Sequence, residues 1–271
     1  MESRCSAIGS RVLPKADRLA CWAMILVCAL TARVPAAAQD IPAEHHAWGR
    51  FDPGAYSLVQ TTTETIGADG ETKDHAVTTT RTTLKQIDDD GAVLRIDAER
   101  EIAGKRVEFD PRTIKQHFNG VVAGQDAVTT DGGTEMVEIE GSEYRCQVYD
   151  IRITGAQTVT SIKLYYSPEI PPYVVRTETT TTAVGSDDVV EQVTMRVMAT
   201  EMPFRVLSAI LPTTTVEAVR ETPQGSTRTL AVYAESIPGG LVSQFTKELD
   251  KTGALVRQSV LELIDFGTHA P

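Results

Sequence analysis

From residue 56 onward the chain is punctuated as a series of β-hairpins, and this constrains its fold more than any other feature. Runs of about ten residues rich in Val, Ile, Thr and Tyr alternate with short Gly/Asp clusters. Stiff β-branched residues between turn-forming residues are the pattern of antiparallel strands joined by tight turns. Tyr56–Ile66 and Thr72–Ile87 flank Gly67-Ala68-Asp69-Gly70, and Val93–Arg100 follows Asp88-Asp89-Asp90-Gly91. Glu135–Glu140 and Tyr144–Thr154 flank Gly141-Ser142, and Thr158–Tyr166 follows Gly155. Tyr173–Ala183 pairs with Val189–Ala199 across Gly185-Ser186-Asp187. Thr213–Glu221 pairs with Thr227–Tyr233 across Pro223-Gln224-Gly225, and Leu241–Leu249 with Leu255–Ile264 across Lys251-Thr252-Gly253.

Helix signals are scarce. Asp40-Ile41-Pro42 can open a short turn that ends at Gly49, with Trp48 and Phe51 facing inward. Phe204, Leu207 and Leu211 fall three and four apart and suggest a short amphipathic helix over residues 203–211. Asp110-Pro111, Ile114, Phe118 and Asn119-Gly120 fit another helix or a strand. The fold expected is therefore all-β and antiparallel, with two or three short helices. It is either one strongly curved, half-barrel-like sheet or two tandem β units, residues 39–200 and 201–271. The residues expected to face inward are Leu58, Val93, Ile96, Ile151, Ile162, Val175, Val193, Met195, Val197, Leu230, Val232, Phe245, Val260 and Leu263.

Within the hairpin series one pattern recurs. Tyr166-Ser-Pro-Glu-Ile170-Pro171-Pro-Tyr-Val174-Val175 aligns without gaps on Tyr233-Ala-Glu-Ser-Ile237-Pro238-Gly239-Gly-Leu241-Val242. In each copy a strand precedes the corner and a long hairpin follows. Phe51-Asp-Pro53-Gly54-Ala-Tyr56 opens the first hairpin similarly. Proline has no N–H to give a ladder, so it belongs where strands start or end. Tyr166, Ile170, Pro171, Tyr233, Ile237, Pro238 and Gly239 are thus expected to form two equivalent structural corners.

The N-terminus bears on compartment. Arg4, Arg11, Lys15 and Arg18 precede an uncharged stretch, Leu19 to Ala32, and Ala36-Ala37-Ala38 then supplies small residues. That stretch is shorter than the ~20 residues a spanning helix needs, so residues 1–38 read as a cleavable export signal. The whole chain carries −11, and the leader holds five basic and two acidic residues, which leaves −14 on the mature form. Such a charge argues against nucleic acid and anionic membrane surfaces as partners. Three of the four cysteines lie in the leader, so Cys146 has no intrachain partner in the mature form.

Candidate chemistry is sparse. His45-His46 beside Glu44 could offer metal ligands, but a zinc site needs three or four converging groups, and His75 and His117 lie in other elements. Cys146 could be a nucleophile. Its alternation with Tyr144 and Val148 places it more simply in a core. Asp88-Asp89-Asp90-Gly91 reads as a hairpin turn better than as a calcium loop. No nucleophile elbow, phosphate-binding Gly loop or HExxH pattern is present. No catalytic residue, metal or cofactor is therefore expected. The Thr runs, such as Thr78-Thr79-Thr80 and Thr179–Thr182, are explained by strand propensity; a flat Thr array for ligand is the other reading.

The leader, the long hairpins and the Tyr165-Tyr166-Ser167-Pro168 corner together resemble the periplasmic lipoprotein-carrier family of half-barrels. Trp48-Gly-Arg-Phe51-Asp-Pro-Gly-Ala-Tyr56 and Ile237-Pro238-Gly239-Gly240 are similar to segments of uncharacterised bacterial envelope proteins. The resemblance implies an exported, non-enzymatic module that takes a lipid, an acyl chain or an apolar partner segment. The other expectation is a structural or adhesive envelope protein. A groove apolar within and acidic outside would favour neutral or cationic amphiphiles.

Overall fold

The computed structural model describes residues 41–89, 91–118 and 126–269. The expected leader lies outside them, as does the Asn119-Gly120 stop signal. Fourteen strands form one antiparallel sheet: β1 (Tyr56–Ile66), β2 (Thr72–Asp88), β3 (Gly91–Ile102), β4 (Lys105–Glu108), β5 (Arg112–His117), β6 (Asp126–Ile139), β7 (Ser142–Thr154), β8 (Thr158–Tyr166), β9 (Val174–Ala183), β10 (Val189–Val206), β11 (Ala209–Thr222), β12 (Gly225–Tyr233), β13 (Leu241–Asp250) and β14 (Leu255–Gly267). The strand order is β4-β3-β2-β1-β14-β13-β12-β11-β10-β9-β8-β7-β6, and β5 also pairs with β3. The first and last strands thus meet in the middle of the sheet.

The sheet is not closed, but its connectivity forces it to curl. Thirteen strands laid flat at ~4.8 Å spacing would spread over roughly 58 Å. The chain leaves one edge at His117 and resumes at the other edge at Asp126. Nine peptide links reach at most about 32 Å. The two edges must therefore approach each other. At the far edge the curl is tight enough that β6 touches β10, although β7, β8 and β9 lie between them in the sheet.

Among the described residues there is no α-helix, only a 3-10 turn over Ala43–His45. This corrects the expected helix at residues 203–211. Met202–Val206 and Ala209–Leu211 are the two arms of the β10–β11 hairpin, with Phe204 opposite Leu211 and Val206 opposite Ala209. The three-and-four spacing arose because apolar residues stand on both arms. Val206 and Leu211 pack on Ala234, Ile237, Val242 and Leu263, so the hairpin tip covers that end of the sheet. Of the two readings of 110–119, Arg112–His117 forms strand β5.

Residues opposed across the ladders share a face, and burial separates the two faces. One row runs Ala76, Thr63, Ser259, Thr246, Thr229, Ala218, Met195, Thr177, Leu164, Tyr149 across ten strands. Every member is buried or half-buried, and this face is the inner one. The adjacent row places Leu230, Phe245 and Val260 side by side on the outer face, 46%, 39% and 40% exposed. Their expected inward placement is thus corrected. Their neighbours one residue away, Ala231 on β12 and Ser259 and Leu261 on β14, are the buried ones, so Leu230, Phe245 and Val260 alternate outward. Ile151, Val175, Val197 and Leu263 are buried, as anticipated.

Candidate functional site

The two Ile-Pro corners lie at one end of the sheet, and the N-terminal segment 41–51 is strapped across them. Their backbones bond alike. The Ser167 N–H donates to Tyr173 O and the Ala234 N–H to Gly240 O, each at 2.8 Å. The Tyr173 N–H donates to Ile170 O at 2.6 Å, and the Gly240 N–H to Ile237 O at 2.8 Å. Tyr173 and Gly240 both adopt positive φ, 71° and 74°. Ile170 and Ile237 are each buried beneath their corner, in two different core clusters. Pro171 lies between β8 and β9 and Pro238 between β12 and β13, where no ladder runs. Pro238 is fully buried, and Tyr233 packs against the cluster that holds Ile170.

Side chains from the strap join the corners. His45 stacks on Tyr173 at 4.0 Å between ring centroids, and its Nδ1 lies 2.5 Å from the Tyr166 hydroxyl. The Arg50 guanidinium donates to Glu235, to the Tyr173 hydroxyl (3.2 Å) and to the Glu44 carbonyl (2.6 Å). The Tyr173 hydroxyl in turn donates to Glu235. Burial alone would raise the Glu235 carboxyl, but Tyr173 and Arg50 outweigh it and hold the group below the usual carboxylate range. The Gly239 N–H donates to Ala47 O at 2.9 Å, and Trp48 lies so close that a Cβ on Gly239 would meet its ring at 2.8 Å. This arrangement latches the strap to both corners through one ion pair, two tyrosines and a histidine.

The other candidates separate. His46 points away from His45: its ring lies 5.1 Å from Phe118, and its Nδ1 accepts the Trp48 N–H at 3.3 Å. Burial lowers its pKa to about 4. Among the described residues no three metal-ligating side chains converge. Cys146 is buried beside Val148 and Tyr165, its thiol directed at Tyr144 O (3.7 Å) and its pKa raised by burial. Asp88 accepts the Gly91 N–H at 3.1 Å and pairs with Lys115 at 2.9 Å, as the β2–β3 turn requires. Arg50, Tyr173 and Glu235 escaped the sequence reading. The one signal for Arg50 is a cation set between Trp48 and Phe51 in an otherwise apolar entry to the first hairpin.

Away from the corners the inner face continues across β1, β2 and β11–β14. There Thr63, Thr78, Thr80, Thr229 and Thr246 are half-buried, and Thr229 and Thr246 share a hydrogen bond of 3.1 Å. Two open depressions of about 270 and 370 Å³ lie between outer-face side chains and are lined mainly by polar residues such as Thr180, Gln192, Ser161 and Asp187. No helix among the described residues is long and apolar enough to cross a membrane.

No family model matches the chain, and no curated protein matches it. Two solved structures align with it at 10% identity, each alignment covering 79% of this chain and 97% of the other. One, from Bacteroides fragilis, is described as exported with a YmcC-like fold (TM-score 0.30), and the other, from Parabacteroides distasonis, as a lipoprotein (TM-score 0.31).

Proposed function

We propose that this chain is an exported, non-enzymatic binding module whose inner sheet face receives an elongated amphiphile or an apolar segment of an envelope partner. The observation that carries the reading is the inner row from Thr63 through Ser259, Thr246, Thr229 and Ala218 to Met195, half-buried at every position but the buried Ser259. A curved sheet normally fills such a face with a core or covers it with a second layer. Here the β10–β11 hairpin tip and the corners close the corner end over Val242 and Leu263, and Ala127, Ile151, Ile153 and Leu164 fill the face under β6–β8, which leaves the stretch across β1 and β11–β14 the least filled. Threonine gives the rest a methyl and a hydroxyl at each position, which suits a ligand both apolar and polar. Native mass spectrometry of protein purified from its own envelope, followed by titration with a fluorescent fatty-acyl probe, tests this. Saturable acyl binding that a bulky Thr229→Trp substitution abolishes is expected. Absence of a carried ligand together with absence of probe binding would overturn it.

A second reading, a structural or adhesive β protein, draws on different residues. The outer stripe Leu230-Phe245-Val260 is exposed, and β6 pairs with no strand on its outer edge among the described residues, with Val128 61% and Met136 55% exposed. Open edges template further pairing. Concentration-dependent assembly that Val128→Lys abolishes would favour this reading.

A further inference from the structure

Two inner-face arginines are held in ion pairs. Arg257 pairs with Glu248 at 2.9 Å, and Arg220 pairs with Glu191. Arg100 stands opposite Thr78, which in turn stands opposite Thr61, and so shares their inner face. Its Nε is buried and has no hydrogen-bond partner among the described residues. Lys105, opposite Ile102 in the next inner row, likewise makes no ion pair among the described residues. The carboxylates beside Arg100 in sequence, Glu99 and Glu101, alternate to the outer face, where Glu99 is held by Arg106. A buried guanidinium N–H without an acceptor is costly, and such groups are rare unless an acceptor is supplied from elsewhere. From Arg100 toward the corner, the inner positions of β3 are Ala98, Ile96 and Leu94, an apolar track at ~7 Å per step.

Resting on the inner-face reading above, we infer that Arg100, assisted by Lys105, reads a single anionic headgroup, a carboxylate or a phosphate monoester, on an amphiphile whose tail follows Ala98 and Ile96. Guanidinium donors match either group, with Nε and one terminal nitrogen forming two parallel bonds. Thr78 stands directly across the ladder from Arg100. Net charge leads to an expectation of neutral or cationic amphiphiles; at this point of the inner face the two side chains without an ion pair among the described residues, Arg100 and Lys105, are cationic and would select the opposite charge.

The test compares palmitate, palmitoyl lysophosphatidate, uncharged monopalmitoylglycerol and inorganic phosphate, by calorimetry and by the Arg Nε–H signals in NMR. Palmitate and lysophosphatidate are expected to bind at least about tenfold more tightly than monopalmitoylglycerol, as a charge-assisted bond gives. They should also shift one Nε–H signal that Arg100→Lys removes. Arg100→Gln should bring the ratio of charged to uncharged affinity to about one, whereas Arg228→Gln on the outer face should preserve it. Equal affinities in the unaltered protein would overturn the Arg100 assignment while leaving the inner-face reading standing. Failure of all three lipids would overturn both. Inorganic phosphate shifting the Arg100 signal as strongly as lysophosphatidate would show a free-anion site and reject the lipid.

Discussion

Gly239 carries three demands at once. Its φ of 80° lies in the left-handed region, its N–H is given to Ala47, and the Trp48 ring occupies the space where a Cβ would project. Gly239→Ala should therefore destabilise by about 1–3 kcal/mol, from the backbone cost plus displacement of a packed ring. Urea unfolding and a shift in Trp48 emission would show it, and an unchanged midpoint would contradict the geometry. Position 173 makes the contrast plain: there the same backbone conformation is taken by a tyrosine whose ring is held between His45 and Arg50. His46 sets a pH dependence. Its folded pKa of about 4 lies below the unfolded value near 6.5, so the unfolded chain takes up a proton first as pH falls. The stability it contributes is full above pH ~6.5 and declines as pH drops toward about 4, by up to about 3 kcal/mol. The carboxyl of Glu235, also depressed, weakens the fold only further down, below its unfolded value near 4.3. Stability measured between about pH 6.5 and 4.5 should hence fall in the native chain and stay flatter in His46→Gln; equal slopes would refute the buried neutral imidazole.

At the scale of elements, the two corners make parallel but independent contributions. Ile170 anchors a cluster with Cys146, Val148, Tyr165 and Val197; Ile237 anchors one with Val206, Val242 and Leu263. Truncating either to Ala should cost about 2–5 kcal/mol, and the two costs should add, since the clusters share no member. Measured singles and the double variant check this, with strong non-additivity pointing to one shared core. Strand limits were legible in the sequence where period-2 patterning ends at Gly or Asp: Tyr56–Ile66 and Thr158–Tyr166 are β1 and β8 to the residue. β10 was not, because Pro203 and the apolar run after it read as a break and a helix. Its continuation to Val206 is made possible by the irregular register between Val197 and Met202, which bends the strand over the corner. The latch of His45, Arg50, Tyr173 and Glu235 was illegible for another reason. Its members lie up to 190 residues apart, and only the return of both corners to one sheet end brings them together.

For the whole molecule, the strand order decides how the chain should unfold. A boundary near residue 200 would fall inside β10, which pairs with β9 on one side and β11 on the other. β1 pairs with β14 in the sheet centre, so the earliest and latest hairpins of the described chain support one another. No strand position divides the sheet without breaking a long ladder, and so the sheet is expected to melt as one unit. Trp48 is the single tryptophan beyond residue 38 and reports the corner end, where it packs with Leu84 and Leu94. Far-ultraviolet circular dichroism reports the strands throughout. The two signals should trace one coincident urea transition, with a steep slope that matches the surface of a single large domain. A Trp48 transition that precedes the loss of strand signal would mean that the strap and corners open while the sheet persists. A second strand transition of its own would mean that residues 201–271 fold separately. In a coincident transition, destabilising variants at the corners, at His46 and at Gly239 must all move the same midpoint, because one sheet carries every one of them.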